Sequence, residues 1–321
     1  MKKITSITED ISKIRISLIK GEVAAIPTET VYGLAANALK PEAVLKIYEI
    51  KERPKFNPLI LHLADTNELD KYAEEIPEYV KKLINKFSPG PLTYVLKKKN
   101  IIPDIVTAGL GTVAVRFPSH PVTLKLLKSL NFPIAAPSAN RSGKISPTES
   151  GQVLKELSGR IEFILEGGQC ELGLESTVID CTTNKIILLR NGIITKEEIE
   201  KASRKKVYEK SEIKKINSPG QMSSHYAPES PLYLMNDKEI DPLSFNSTVG
   251  YLDFSKYKNV KEIAKNLFKD LQTLDDKHVS YIIARKVKNE GIGLAINDRL
   301  ERAASGYITT HKTRIKIVPK M

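Results

Sequence analysis

Residues 22–63 read EVAAIPTETVYGLAANALKPEAVLKIYEIKERPKFNPLILHL, and this stretch contains a strand pattern, a helix pattern and a second strand pattern. The first apolar run, Glu22–Ile26, ends at Pro27, and the second, Leu59–Leu63, follows a proline-stiffened loop. Residues 41–51 lie between them and repeat apolar positions with helical spacing. This strand–helix–strand order predicts an α/β domain with a largely buried sheet.

The same alternation extends outward over the first 200 residues. Helical patterns occupy 6–20, 121–130, 149–157 and 196–203, with further helical stretches ending near Phe87. Strands are predicted at Thr93–Lys97, Val113–Phe117, Ile134–Ala136, Glu162–Leu165, Thr177–Asp180 and Ile186–Arg190. We therefore expect one α/β domain with a mixed sheet over residues 1–204.

The segment 205–230 interrupts the pattern. It is basic at first and then reads SPGQMSSHYAPES, where prolines and a glycine favour an extended, irregular path. We predict an interdomain linker here and a smaller Rossmann-like α/β domain over 231–321. The predicted elements of that domain are strands at Leu232–Met235, Ser247–Leu252, Ser280–Ala284 and Thr313–Val318, with helices at 260–275 and 297–304. A chain of 321 residues is also long for a single core.

Composition narrows the class of protein. The formal net charge of +12 fits a nucleic-acid partner, a small polyanion such as ATP, or simply a lysine-rich surface. Cys170 and Cys181 have neither C-x-x-C spacing nor histidines at zinc spacing, so we expect free thiols rather than a disulfide or a zinc site. The N-terminus lacks a signal-peptide core and no run approaches a membrane span, which predicts a cytoplasmic protein without membrane partners.

Several common active-site motifs are missing. The sequence contains no G-x-x-x-x-G-K-[ST], no G-x-S-x-G and no H-E-x-x-H. The run Gly291-Ile-Gly293 lacks the third glycine of a dinucleotide fingerprint, and glycine packing at a helix start explains it better.

Polar loops at strand ends are the remaining candidates. The hydroxyls of residues 27–38 suit a carboxylate or phosphate, although a threonine cap before a helix is an equal interpretation. Residues 51–59 place Lys51, Arg53 and Lys55 on a stiff turn that suits a polyphosphate or is simply solvated. Arg116 lies in an apolar strand and needs a protein carboxylate or a bound anion as its partner.

Two further loops complete the set. Ser138 and Asn140 directly follow a strand, where ligands of open α/β sheets bind, unless they form an ordinary turn. Ser176 begins a strand and Arg190 ends one. Together the loops offer cations, hydroxyls and amides with few carboxylates, which predicts an anion site held by side chains. Any Mg²⁺ would then be carried by nucleotide phosphates and water, with no metal ligands from the protein.

These loops, in this order, resemble the YrdC-like domain. The matching motifs are PTETVYGL, K-x-R-P, NPLILHL, SPGPLTYVL, VAVRFPSHP, APSANRSG and LESTVID. The linker SPGQMSSHYAP and the later GIGLAINDRLERAASG resemble the extra domain of long-form threonylcarbamoyl-AMP synthases. The resemblance covers nearly the whole chain and implies a twisted sheet around a basic concave cavity.

The resemblance also implies a reaction. L-threonine, bicarbonate or CO₂, and ATP would give threonylcarbamoyl-AMP and pyrophosphate, with Mg²⁺ accompanying ATP and no organic cofactor. A separate transferase would use the product to modify tRNA. Whether this chain binds tRNA directly is left open.

Site residues follow from the same resemblance. Lys51, Arg53, Ser138 and Asn140 match the K-x-R and S-x-N signature and are expected to be catalytic. The expected ATP ligands are Arg53, Asn57, Thr112, Ser138, Ser146 and Arg190, with His225 and Tyr226 of the linker closing over the nucleotide. The expected threonine ligands are Thr30, His62, Arg116, Ala136 and Ser176.

Two other functions compete with this one. The charge would also suit an RNA-binding module without catalysis, but no interleaving of aromatic and basic residues supports it. A carbamoyl-transfer role like that of the YrdC-like domain in hydrogenase maturation proteins would require cysteine-rich zinc fingers, and two cysteines are too few.

Overall fold

The structure, a computed structural model, describes residues 4–209, 225–235, 248–311 and 314–320. The chain divides into two compact units, Met1–Ser142 with Pro147–Gln221, and Gly143–Ser146 with Met222–Met321. Most of the predicted linker, residues 210–224, lies outside the described residues. Among the helices that are described, none has the length and apolar character needed to cross a bilayer.

The first unit is built on one large mixed sheet. Its strands are β1 (Ser6–Thr8), β2 (Ala24–Ile26), β3 (Gly33–Asn37), β4 (Ile60–His62), β5 (Ala73–Glu74), β6 (Leu92–Lys98), β7 (Thr112–Arg116), β8 (Ile134–Ala135), β9 (Phe163–Leu165), β10 (Thr177–Asp180), β11 (Ile186–Arg190) and β12 (Val207–Glu209). The order across the sheet is β1-β9-β2-β3-β8-β4-β7-β6-β10-β11-β12, with β5 beside β6. The predicted α/β class with a mixed sheet is confirmed.

Helices cover this sheet unevenly. They are α1 (Ile11–Ile19), α2 (Pro41–Lys51), α3 (Glu78–Phe87), α4 (Asp104–Thr107), α5 (Pro121–Lys128), α6 (Ser150–Leu157) and α7 (Lys196–Ser203), and Thr66–Lys71 forms a 3₁₀ helix. The large core on one face includes apolar residues of α2, α3, α4, α6 and α7. On the other face, α1 and α5 pack over β2, β3, β8 and β9.

The remainder of that second face, over β4, β6, β7 and β10, has only a small apolar cluster. Val95, Ala114 and Val178 form it, with Ile60 and Leu189 packed beside them, and all five belong to strands. No residue of a described helix belongs to this cluster, and we call this surface the open face.

The second unit has a smaller sheet. Its elements are β13 (Leu232–Met235), β14 (Val249–Leu252), α8 (Val260–Asp275), β15 (Tyr281–Ala284), α9 (Ile292–Ala303), β16 (Ala304–His311) and β17 (Arg314–Pro319). The strand order is β14-β15-β13-β16-β17, with β17 antiparallel to its neighbour and the others parallel. A predominantly parallel sheet with helices is the Rossmann-like arrangement that the sequence predicts.

Several predicted elements differ in detail. Residues 6–8 are not helical but form β1, which pairs in parallel with β9. The predicted helix at 297–304 begins earlier, at Ile292, and the segment after it contributes β16 as well as β17. Gly293 lies in the first turn of α9, where an added Cβ would collide with the carbonyl oxygen of Lys288. The packing interpretation of that glycine is therefore confirmed.

Both cysteines are buried and unpaired, as predicted. Burial raises the pKa of the Cys170 thiol to about 12, and it also raises the pKa of Cys181. Neither thiol is therefore a ready nucleophile at neutral pH.

Candidate active site

Three strands place a row of polar side chains on the open face. In the register of the sheet, His62 of β4 is opposite Arg116 of β7, and Arg116 is opposite Thr93 of β6. Residues alternate between the two faces of a strand, and partners directly across a ladder share a face. Because Ala114, two residues before Arg116, belongs to the open-face cluster, the whole row lies on that face.

Arg116 makes a buried ion pair with Glu29. Its Nη2 lies 2.6 Å from Glu29 Oε1, and the two side chains are only 5% and 4% exposed. The other carboxylate oxygen accepts a hydrogen bond from the Ser119 backbone N–H at 3.0 Å. Burial by itself would raise the pKa of Glu29, but the charge and hydrogen bond of Arg116 outweigh burial and hold the pKa below its usual value. Of the two partners left open for Arg116, the structure contains the protein carboxylate.

His62 is buried, neutral and fixed in one tautomer. Its Nδ1 lies 3.1 Å from the Ile60 carbonyl oxygen, and because a carbonyl oxygen only accepts, Nδ1 must carry the proton. Burial, followed by the positive charge of Arg116, lowers the pKa of His62 to about 3. At neutral pH the imidazole therefore presents Nε2 as a hydrogen-bond acceptor.

Ser176 joins the row through two neighbours. Its Oγ lies 2.7 Å from Thr93 Oγ1 and accepts a hydrogen bond from Arg190 Nη2 at 3.0 Å. Arg190 Nε also donates to the Ser176 carbonyl oxygen at 3.0 Å. Ser176, which directly precedes β10, and Arg190, which ends β11, are thereby held together.

A β-bulge makes this contact possible. The register of β10 and β11 shifts so that Val178 is opposite Arg190, while Ile179 is opposite Leu188. Leu189 is the extra residue. In a regular ladder Leu189 would be opposite Val178, and strict alternation would turn Arg190 to the helix-covered face. Bulges commonly redirect a side chain in this way.

The loop before β3 is a compact hydroxyl turn rather than a helix start. Thr28 Oγ1 lies 2.8 Å from Thr30 Oγ1 and 2.6 Å from the Val31 carbonyl oxygen, and both threonines are buried. The chain then continues into β3, so the alternative of a threonine cap before a helix is wrong. Gly33 lets this loop approach Ala136, since an added Cβ would lie 3.3 Å from the Ala136 methyl group.

Lys51 ties the end of α2 to the loop that carries Ser138 and Asn140. Its Nζ donates to the Ser138 carbonyl oxygen at 2.6 Å and to the Asn140 carbonyl oxygen at 2.5 Å. In return, the Ser142 N–H donates to the Lys51 carbonyl oxygen at 2.7 Å. Burial, and next the nearby charge of Arg53, hold the pKa of Lys51 well below its usual value. Lys51 of the K-x-R signature is thus in direct contact with both residues of the S-x-N signature.

Arg53 organises its own loop. Glu52 ends α2 in the left-handed region, with φ 53°, which turns the chain away from the helix axis. Arg53 then donates from Nε to the Asn57 carbonyl oxygen at 3.2 Å and from Nη2 to the Pro58 carbonyl oxygen at 3.1 Å. The loop is therefore an ordered turn, and the interpretation of a merely solvated basic loop does not hold for Arg53.

Thr112 lies at the other end of β7 from Arg116, on the same face by alternation. Four residues of extended strand span roughly 13 Å, so a ligand contacting both would have to extend along the strand over Ala114.

The remaining predicted residues belong to the second unit. Ser146 is buried within its short segment. His225 donates its backbone N–H to the Arg302 carbonyl oxygen, and the Tyr226 ring stacks on Phe268 at 5.2 Å with the Arg299 guanidinium 5.6 Å away. Tyr226 has φ 66°, an uncommon conformation for an aromatic residue, and is held in it by this packing. The predicted role of both residues as a lid stays a prediction.

No group of three or more His, Cys, Asp or Glu side chains arranged to hold a metal ion occurs in the described ranges. The expectation that Mg²⁺ would accompany the nucleotide stays a prediction.

Two residues important for the site carried no clear signal in the sequence. Glu29 stands among hydroxyl residues, and its partner is 87 positions away. Gly192 follows the end of β11, and a Cβ there would lie 2.7 Å from the Ser176 carbonyl carbon and from Thr177 Oγ1. A closely packed glycine can be found only once the strands are paired.

A YrdC-like α/β protein with a row of polar side chains on one face of its sheet is the class that this fold and site define. The family profile Sua5_yciO_yrdC, described as "Telomere recombination", matches residues 17–192. The profile described as "Threonylcarbamoyl-AMP synthase, C-terminal domain" matches residues 194–305. The chain belongs to the two-domain Sua5 family of threonylcarbamoyl-AMP synthases.

Relatives with two domains match this chain along nearly its full length. A threonylcarbamoyl-AMP synthase of Pyrococcus abyssi is 43% identical, with 92% of this chain and 94% of the relative covered. One from Bacillus subtilis is 40% identical, with 91% and 92% covered. The crystal structure of P. abyssi Sua5 complexed with L-threonine is similar with a TM-score of 0.84 and 39% identity, covering 95% of this chain and 98% of that one.

The pH dependence of stability tests the state of His62. Unfolded histidine takes up a proton near about pH 6.5, whereas folded His62 stays neutral down to about pH 3. Acid therefore favours the unfolded state. The stability that neutral His62 contributes is complete above the pKa of unfolded histidine and is lost as the pH falls toward 3. His62→Asn can keep a donor to Ile60 but does not titrate. Between pH 6.5 and 5, we expect wild type to lose about 1 kcal/mol more per pH unit than the variant in urea unfolding; parallel pH profiles would contradict a buried neutral His62.

Gly192→Ala tests the packing that positions Ser176. The added methyl group would overlap the backbone of Ser176 and Thr177, and such overpacking costs roughly 1–3 kcal/mol of unfolding free energy. The matched control is Gly151→Ala in α6, where nothing lies within 4 Å of the new Cβ and alanine is favoured by about 0.5–1 kcal/mol in a helix. In urea unfolding, Gly192→Ala should lower the free energy of unfolding and Gly151→Ala should raise it. Equal changes in the two variants would show that the space around Gly192 does not limit substitution.

Proposed function

We propose that this chain is an L-threonylcarbamoyladenylate synthase, which converts L-threonine, bicarbonate and ATP into threonylcarbamoyl-AMP and pyrophosphate. The observation that carries the proposal is full-length similarity to enzymes of that name, 43% and 40% identical over 92% and 91% of the chain. The RNA-binding module without catalysis has no comparable support and is not retained.

Threonine would bind at the row on the open face. Arg116 would pair with its carboxylate, and the Nε2 lone pair of His62 would accept a hydrogen bond from its amine. Thr30, Ala136 and Ser176 would surround the rest of the molecule. Support comes from the shared face of His62, Arg116 and Ser176, and from the related P. abyssi protein, whose crystal structure was determined with L-threonine.

ATP would occupy the region ordered by Lys51 and Arg53. Ser138 and Asn140, on the loop that Lys51 holds, would contact the phosphates together with Arg53 and Arg190. The nucleotide would also contact Asn57 and Thr112. Mg²⁺ bound to the phosphates would supply charge neutralisation during the displacement.

The reaction needs no protein nucleophile. Bicarbonate takes up a proton and loses water to give CO₂. The threonine amine then attacks the carbon of CO₂ and releases a proton to solvent, which forms a carbamate. A carbamate oxygen then bonds to the α-phosphorus as the bond from that phosphorus to the bridging oxygen breaks, and pyrophosphate leaves with the bonding pair. The chain positions the two substrates and stabilises charge, effects that can each lower a barrier by several kcal/mol, roughly 3–10.

The product would pass to a separate transferase that modifies tRNA, in the cytoplasm where that modification would take place. A mixed anhydride hydrolyses readily, so residues that exclude water from it would raise the yield.

The direct test is product analysis. Purified protein with ATP, isotopically labelled threonine and bicarbonate should release pyrophosphate only when all three are present. Mass spectrometry should then detect an adenylate carrying the threonine label and one added carboxyl group. ATP turnover that is the same with and without threonine would refute the proposed function.

Arg53→Ala tests the nucleotide side of the site. We expect turnover to fall by at least 100-fold, since the variant loses both a phosphate partner and the ordering of the loop at Asn57 and Pro58. Circular dichroism should show that the fold persists. Lys55→Ala, which removes an exposed cation from the same loop, is the matched control and should stay within about twofold of wild type. Near-normal activity of Arg53→Ala would exclude the proposed role.

A further inference from the structure

Glu29 places a buried carboxylate beside Arg116, in a candidate site whose other charged side chains are cations. Glu29 is 3% exposed and is held at both carboxylate oxygens, by Arg116 Nη2 and by the Ser119 N–H. Its own backbone is fixed as well, because its carbonyl oxygen accepts a hydrogen bond from the Leu172 N–H at 2.8 Å. Glu29 is therefore a rigid anchor rather than a mobile surface acid.

The anchor determines how the guanidinium of Arg116 is oriented. Nη2 donates to Glu29, and Nε, on the same edge, donates to the Gly90 carbonyl oxygen at 3.4 Å. A guanidinium has a second edge, formed by Nη1 and the other Nη2 proton, that can bind a carboxylate through two parallel hydrogen bonds. The described residues provide no hydrogen-bond acceptor for Nη1 of Arg116. Its second edge thus remains for a ligand.

We propose that Glu29 is a positioning residue for the substrate carboxylate, in that it fixes one edge of Arg116 so that the other edge faces the ligand. This inference rests on the proposed function, in which threonine binds at Arg116. Glu29 itself would not touch the substrate.

The charge of Glu29 has two opposing effects on a bound anion. It repels the substrate carboxylate, and it also keeps Arg116 in the geometry that a two-bond contact requires. If charge neutralisation were its main effect, its removal would tighten anion binding. If positioning dominates, its removal weakens binding, because a guanidinium free to rotate must be ordered again each time a ligand binds. The sign of the change separates the two roles.

The test uses the full chain, with threonine as the probe. In Glu29→Gln the amide can still accept from Arg116, but its NH₂ group faces the Ser119 N–H, so the anchor is lost. We expect the KM for threonine to rise at least tenfold while the KM for ATP stays within about twofold. Equilibrium binding of radiolabelled threonine should weaken by the same factor.

Two further variants complete the experiment. Glu29→Asp keeps the charge but withdraws it by one carbon–carbon bond, and it should raise the threonine KM by an intermediate factor. Glu166→Gln is the matched control, because Glu166 also binds several donors, Ser150 Oγ and the N–H groups of Gly167 and Gly168, but has no contact with Arg116. Its threonine KM should remain within about twofold of wild type.

The possible results are distinct. A threonine KM that is unchanged or lower in Glu29→Gln overturns the proposal, as does an equal rise in Glu166→Gln. If Glu29→Gln does not fold, Glu29→Asp decides in the same way, and if neither folds, Glu29 is a folding residue and the positioning role is abandoned. A wild-type protein that binds no threonine would instead refute the proposed function, without reference to Glu29.

Discussion

The alternation of side chains along β4, β6, β7 and β10 is the constraint on which the site depends. Successive residues point to opposite faces, and only one face of these strands is covered by the core that the helices share. Leu61 and Val115 therefore fill that core, while His62 and Arg116, each one residue later, reach the open face. A shift of one residue in any of these pairings would turn the polar groups into the helix-covered core and the apolar ones to the open face, so the register of the sheet and the composition of the site are specified together.

Much of the fold could be predicted from local patterns. The segment from β2 through α2 to β4 has apolar runs and helical spacing that can be recognised in the sequence alone. Predictions failed where an element depends on its neighbours. β1 is three residues long and is stabilised by pairing with β9. β3, with the sequence GLAAN, is mostly small residues and packs on both faces. Nothing in local propensity distinguishes such a strand from a loop or a helix start.

The site could be predicted in its parts but not in its connections. Lys51, Arg53, Arg116 and Arg190 stand out in the sequence as cations near strand ends. What each cation contacts depends on pairing between distant segments, and the orientation of Arg190 depends on a bulge that exists only in the register of β10 and β11. Even a reliable family resemblance supplies a set of residues and leaves the internal contacts to the structure.

Those contacts share a physical feature that bears on catalysis. Lys51, Arg53 and Arg190 are all oriented by backbone carbonyl oxygens. A carbonyl dipole fixes the direction of a cation and, unlike a carboxylate, carries no net charge of its own. Arg116 differs, because it is paired with Glu29 and is nearly neutralised. A monoanion such as an amino-acid carboxylate needs geometry more than field strength, whereas a triphosphate and its transition state need field strength. The two kinds of anchoring therefore match the two kinds of anion that this family of enzymes must hold side by side.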